Sequence, residues 1–268
     1  PPRSTPKPSS AASDVYKRQP ITQKHAKIGA YQLTRKLGVG EFANVYECIK
    51  REEATNRATA KKYAFKAIKK ARVQRHAQLH KAKRNIKRVD TEVASMKKLS
   101  HGAVVRLYDV IQSPSMLYIV LEKGDRDLYS FLDSHEYADG CPDDVVKSVM
   151  RIAALGLRHC HANGVAHRDL KPENILVVGQ PGDWSLLEEN DDPCKRGVVK
   201  LCDFGLCADV SSGENLTDFV GSPCFFAPEI LLDGSYDGRA ADVWSLGCVM
   251  LEMLLGHAAF SQVWCPPY

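Results

Sequence analysis

An aspartate, a lysine and an asparagine lie within one short stretch, His167-Arg168-Asp169-Leu170-Lys171-Pro172-Glu173-Asn174. Asp169 can take a proton from a hydroxyl, Lys171 can neutralise a phosphate, and the Asn174 carboxamide can offer oxygen to a hard cation. That set handles a hydroxyl nucleophile, a phosphate and a divalent metal together, which is what phosphoryl transfer requires. A second acid, Asp203, follows the apolar Val199-Lys200-Leu201 in Asp203-Phe204-Gly205 and adds an oxygen donor of the kind Mg2+ takes.

Such residues act only if rigid elements hold them. Val146, Val149, Ile152, Leu155 and Leu157 predict an amphipathic helix over Asp143 to Ala162, stopped by Gly164, that delivers the chain to the octapeptide. Ile175-Leu176-Val177-Val178 and Val199 to Leu201 read as strands on either side of a surface insertion over 179–198, which carries the acidic run Glu188 to Asp192 and no assignable chemistry. Upstream, Tyr31 to Leu37 and Asn44 to Ile49 read as strands joined by the hairpin Gly38-Val39-Gly40-Glu41-Phe42-Ala43. Lys62 to Lys69 alternates so that Ala64, Lys66 and Ile68 share a face. A lysine among apolar neighbours there calls for an anionic partner, and a solvated strand lysine is the plainer alternative. The next helix is marked by Ile86, Val89, Val93, Met96 and Leu99, with Glu92 beside the stripe. Arg106 to Ile111 and Met116 to Leu121 follow as strands, and Glu122-Lys123-Gly124 marks a polar turn.

In this order the motifs resemble the eukaryotic protein kinase domain, over about Tyr31 to Phe260. The resemblance implies an α+β, two-lobed fold, with a β-rich N-lobe over 31–121 and a mainly helical C-lobe over 122–268. It implies ATP and Mg2+ as cofactors and proteins as substrates. Gly38 and Gly40 match the glycine-rich loop that covers the ATP phosphates, with Ala43 in place of a third glycine. Lys66 matches the lysine on the α- and β-phosphates, and Glu92 its helical partner. Val45, Ala64 and Leu176 match the residues enclosing adenine, Leu121 the gatekeeper, Glu122 to Gly124 the hinge, and Asp127 the acid on the ribose. By the same resemblance Asp169 orients the substrate hydroxyl and accepts its proton, Lys171 stabilises the γ-phosphoryl charge, and Asn174 and Asp203 are the metal ligands. Glu173, with Asp127, resembles the acids that read an arginine upstream of the phosphosite. Met96, Leu107, His167 and Phe204 match a hydrophobic stack aligned in active kinases.

Lys171, and Ser222 in Val220-Gly221-Ser222-Pro223, resemble the Ser/Thr-specific kinases, most closely the calcium/calmodulin-dependent and AMP-activated group. Arg168 is the kind of arginine that binds an activating phosphate at the segment from Asp203 to Glu229. Three residues before Gly221 stands Asp218, beside Thr217. Either Asp218 supplies charge constitutively, or an upstream kinase phosphorylates Thr217. Asp242 matches the residue that holds the catalytic-loop backbone. The alternative function is a pseudokinase or scaffold on the same fold; Lys66, Glu92, Asp169, Asn174 and Asp203 are all present, which favours activity. The helices that complete such a large lobe, and the arginine that would pair with Glu229, lie outside the sequence. An incomplete chain with a partly uncovered apolar helix is therefore expected.

Thirty-seven Lys plus Arg against 32 Asp plus Glu give a net charge of +5, too mild to imply nucleic acid or membrane partners. Lys69 to Arg88 carries nine Lys/Arg and two His without an acid. It reads as a solvated face or as a docking patch for an acidic partner; no aromatic interleaving accompanies it. Nine scattered cysteines without a Cys-x-x-Cys pair read as reduced thiols in a cytoplasmic or nuclear compartment. Val243 to Phe260 is broken by Glu252 and His257 and reads as a buried helix rather than a membrane span. Residues 1–30 read as a disordered tail, of which the first 19 have the look of translated cloning sequence.

Overall fold

The computed structural model describes residues 26–39, 43–56, 58–70, 79–133, 137–179 and 198–265, with backbone alone over 79–87. The tail before residue 26, Gly40, residues 71–78 of the basic stretch and the interior of the insertion lie outside the described residues.

Six antiparallel strands form the N-terminal sheet: β1 (Lys27–Ile28), β2 (Tyr31–Val39), β3 (Ala43–Lys50), β4 (Lys62–Lys69), β5 (Leu107–Gln112) and β6 (Met116–Glu122). Their order is β1-β2-β3-β4-β6-β5. The alternation in β4 sorts its side chains as the period of two requires. Tyr63, Phe65 and Ala67 join an aromatic cluster with Tyr31 on one face, while Ile68 packs with Ala43, Leu117 and Ile119 on the other. Helix α1 (Leu79–Lys98) covers this second face with Val89 and Val93. The sheet begins earlier than the tail assignment allows. Lys27 and Ile28 pair with Gln32 and Tyr31, so residues 26–30 belong to the lobe.

The C-terminal lobe is built on α3 (Asp143–Ala162), which follows β7 (Arg126–Asp127) and the short α2 (Leu128–Leu132) and has the bounds its periodicity predicts. Its Val149, Ile152, Leu157 and Cys160 are fully or nearly buried against Phe131, Leu201, Val249 and Met253. Each large apolar side chain so buried contributes about 1.5–3 kcal/mol. Short strands β8 (Val165–Ala166), β9 (Ile175–Val177), β10 (Val199–Leu201) and β11 (Ala208–Asp209) frame the octapeptide and the Asp203 turn. Leu107 and Leu121 pack against both the large core and the small one under α1, joining the lobes through apolar contact.

After α4 (Pro228–Leu232), the apolar stretch near the C-terminus forms two helices rather than the one expected. Helix α5 (Gly238–Leu255) and α6 (His257–Val263) meet at 120°. Gly256 makes the bend with φ 78°, at a point where a Cβ would collide with the Ala138 carbonyl. Among the described residues no single helix is long and apolar enough to cross a membrane. One face of α5 buries Leu246, Val249 and Met253, while Val243 is 60% exposed and Met250, Leu254 and Leu255 are also exposed.

Candidate active site

Two short chains of polar contacts meet in the cleft between the lobes. The first begins on the sheet. Lys66, opposite Val45 on β3 and Ile119 on β6, sends its ammonium to Glu92 Oε1 at 2.6 Å and Asp203 Oδ1 at 2.9 Å. Glu92 lies on α1 and is 3% exposed, so the lysine has the anionic partner its setting demands. Burial alone would depress Lys66, but the Glu92 and Asp203 carboxylates outweigh it and hold the ammonium well above its usual range. The same ammonium holds Asp203 below the ordinary carboxylate range, against the effect of burial. A carboxyl depressed in this way contributes stability above its unfolded pKa of about 3.9, and that contribution is lost as pH falls through the lower folded value. Asp203 is thus ionised throughout the neutral range, the form in which a carboxylate can hold a cation.

The second chain runs through the octapeptide. Ser222 donates its hydroxyl to Asp169 Oδ1 at 2.7 Å and accepts from Lys171 Nζ at 2.8 Å. Lys171 lies 3.7 Å from Asp169 Oδ2. Asn174 donates through its amide nitrogen to the Asp169 carbonyl at 2.7 Å and to Oδ2 at 3.0 Å, which commits the nitrogen and leaves the amide oxygen as the donor a cation could use. The backbone N–H of Cys202 bonds the Asn174 carbonyl at 2.9 Å, so Asn174 and Asp203 are held on neighbouring strand ends.

The loop is fixed from beneath. Asp242, fully buried on α5, accepts the backbone N–H of His167 at 2.7 Å and of Arg168 at 2.6 Å, and its Oδ2 also meets His161 Nε2 at 2.8 Å. His167 Nδ1 accepts from the Asp169 N–H at 3.3 Å, which assigns its ring proton to Nε2, the donor to the Cys202 carbonyl at 2.9 Å. Phe204 lies tilted against His167 with ring centroids 4.8 Å apart, and it shares the large core with Met96 and Leu107, the other two residues of the expected stack.

Above the octapeptide, Val45, Ala64, Leu121 and Leu176 are all half-buried, as befits an apolar cleft open to a ligand. Leu121 pairs with Ala64 across the sheet, and Leu176 closes on Gly124 so tightly that a Cβ at 124 would meet Leu176 Cβ at 2.8 Å. Gly38 faces open space, whereas Gly40 lies outside the described residues. Two expected ligands have other partners. The Glu122 carboxylate pairs with Lys200 at 3.2 Å, and its backbone N–H bonds the Arg106 carbonyl at 2.9 Å. Asp127 caps α2, accepting from Ser130 N at 2.7 Å and Ser130 Oγ at 3.0 Å. Glu173 is exposed.

The family comparison agrees with this geometry. A model of the protein kinase domain matches residues 31–264. The chain belongs to the protein kinase family. Similar curated relatives of the kinase domain include an SNF-related serine/threonine-protein kinase of Rattus norvegicus, 34% identical over 235 residues, which are 87% of this chain and 27% of that protein. CBL-interacting serine/threonine-protein kinase 24 of Arabidopsis thaliana is 33% identical over 253 residues, 92% of this chain and 48% of that protein. CBL-interacting protein kinase 4 of Oryza sativa subsp. japonica is 35% identical over 239 residues, 88% and 46% respectively. The kinase domain therefore spans about a quarter to a half of the length of these relatives.

Two features of the kinase domain escaped the sequence. Glu252, read only as an interruption of an apolar run, is 1% exposed; its Oε1 meets His257 Nδ1 at 2.7 Å, and its buried Oε2 has no partner. Burial, with Glu173 nearby, pushes its carboxyl up. The expectation of scattered thiols is corrected at one pair, because Cys224 and Cys265 are joined as a disulfide across 41 residues. Among the described residues the remaining six cysteines are free.

Proposed function

We propose that the chain is the catalytic domain of a serine/threonine kinase that transfers the γ-phosphate of ATP, bound with Mg2+, to hydroxyls of protein substrates. The observation that carries this reading is the complete set of bonds from Glu92 through Lys66 to Asp203, and from Asn174 through Asp169 to Ser222 and Lys171. Asp203 and Asn174 offer the hard oxygen donors that suit Mg2+, which supplies neutralisation of phosphate charge when bound. In this reading Lys66 orients the nucleotide phosphates. Asp169, with its carboxylate fixed by Ser222 and Asn174, receives the proton of the substrate hydroxyl. Lys171 lies close enough to offset charge on the transferred group.

A preference for basic substrates is supported by the exposed Glu173 and by the unpartnered Glu252 Oε2, which want a cationic group. Asp127, engaged with Ser130, adds less to this preference than its sequence position implies. The direct test uses the full-length protein with radiolabelled ATP, Mg2+ and a serine peptide bearing upstream arginines. Transfer is expected, falling at least about a hundredfold in Asp203→Asn. No Mg2+-dependent transfer by the full-length protein would sink the proposal.

In the same proposal the activation segment carries its charge without modification, through Asp218. Arg168, whose side chain is 5% exposed, donates to the Leu206 carbonyl at 2.7 Å and lies 3.7 Å from the Asp218 carboxylate. Tyr236 donates its hydroxyl to the Asp218 carbonyl at 2.9 Å and holds that segment against the arginine. Asp218→Asn is expected to lower kcat about tenfold, the size of one charge-assisted contact. Thr217→Ala should leave kcat within about twofold of the parent, as an exposed substitution does. Steady-state kinetics of the two variants decide the matter, and the reverse pattern identifies Thr217 as the site of an upstream activating kinase.

A further inference from the structure

Cys224 stands two residues after Ser222, in the stretch 221–227 that carries the hydroxyl held by Asp169. Cys265 follows α6, and the two Cα atoms are 5.0 Å apart, within the span a disulfide bridges without backbone movement. Both residues are half-buried and open to small reagents, whereas Cys48, Cys141, Cys160, Cys207 and Cys248 are buried. Trp264 Nε1 donates to the Cys224 carbonyl at 2.9 Å, so the helix end beside Cys265 is seated on this stretch independently of the sulfurs. Ser245 on α5 holds the neighbouring Phe225 carbonyl at 2.7 Å. The substrate hydroxyl must approach Asp169 alongside this stretch.

We propose that Cys224 and Cys265 are a reversible oxidation site whose disulfide clamps residues 221–227 in the arrangement that seats Ser222 on Asp169. One thiolate attacks peroxide, forming an S–O bond as the O–O bond breaks and water departs after protonation. The second thiolate then attacks that sulfenyl sulfur, forming the S–S bond as S–O breaks and a second water leaves. Two thiols and one peroxide become one disulfide and two waters; two equivalents of glutathione reverse the step and emerge as glutathione disulfide. Among the described residues this is the one disulfide, and it ties the stretch to α6, which also reaches it through Trp264 and through the Phe225–Phe260 ring contact at 5.5 Å.

The activity readout rests on the kinase reading above; the linkage and the backbone order do not. Full-length protein is reduced, treated with hydrogen peroxide, and mapped without reductant. The peptides bearing Cys224 and Cys265 should appear joined after peroxide and separate after glutathione. Amide exchange over 221–227 should slow, and the KM for a basic serine peptide should fall, each roughly fivefold, the effect of ordering one loop in advance of binding. The KM for ATP should be unchanged. Cys265→Ser should lose the redox response and keep the activity of the reduced parent. Peroxide leaving both thiols free, a link that glutathione cannot open, or an exchange response that survives in Cys265→Ser would each overturn the proposal. Absence of transfer in both redox states counts against the kinase reading alone, since mapping and exchange still report.

Discussion

Replacement of Asp169 by Asn is expected to slow phosphoryl transfer by about 10^3-fold, within the range general-base catalysis supplies, while nucleotide affinity stays close to that of the parent. Both carboxylate oxygens already receive hydrogen bonds: Oδ1 from Ser222 at 2.7 Å and Oδ2 from Asn174 at 3.0 Å. An amide can present only one acceptor. Its NH2 group must therefore face a donor, either the Ser222 hydroxyl or the Asn174 amide, with Lys171 close by. The variant loses the proton acceptor and also the alignment of the two residues that flank it. Single-turnover rates with saturating Mg-ATP measure the first effect, and fluorescent nucleotide titration measures the second. A rate within tenfold of the parent would remove Asp169 from the chemistry. A loss of nucleotide binding equal to the loss of rate would instead make it a ligand-binding residue.

Asp242→Ala should destabilise the lower lobe by about 3 kcal/mol. The carboxylate is fully buried and accepts two backbone N–H groups, from His167 and Arg168, in a loop that makes no ladder of its own there. Removing it leaves both donors without their acceptor and His161 without its partner. At about 2–4 °C per kcal/mol for a chain of this size, the thermal midpoint of the full-length protein should fall by roughly 6–12 °C. Asp242→Asn keeps one acceptor and should cost less than half as much. A midpoint shift below about 2 °C in the alanine variant would show that the loop is held by its neighbours instead.

Much of this was legible because the relevant elements have strong periodicity. Asp143–Ala162 is a helix with the ends its apolar positions set, and Lys62–Lys69 is a strand whose alternation puts Lys66 toward Glu92. Asp169 and Lys171 were readable from residue types within one short loop, whereas Ser222, 53 residues further on, was joined to them only by the resemblance to Ser/Thr kinases. Features without a local signal were missed. Lys27–Ile28 is too short for any period and exists as a strand because Tyr31 and Gln32 turn back on it. The break at Gly256 is invisible in a run that is apolar on both sides, since it depends on the close approach of Ala138. Glu252 acquires its environment when α6 folds back and brings His257 to it. Cys224 and Cys265 are 41 residues apart and meet through the packing of α6.

Among the described residues, three that are not glycine hold positive φ: Arg168 at 66°, Asp203 at 57° and Cys224 at 72°. Each such backbone costs of the order of 1–3 kcal/mol, and all three lie at or beside the site. Glycine would relieve that cost at every one of them. It would also remove the guanidinium that meets Asp218, the carboxylate that meets Lys66, or the thiol that meets Cys265. At each of the three, the strain is therefore offset by the side-chain contact it makes possible, and that contact, rather than the local backbone preference, decides which residue stands at the codon. A screen for folding alone would find glycine there no improvement as long as the ion pair or the disulfide outweighs the strain.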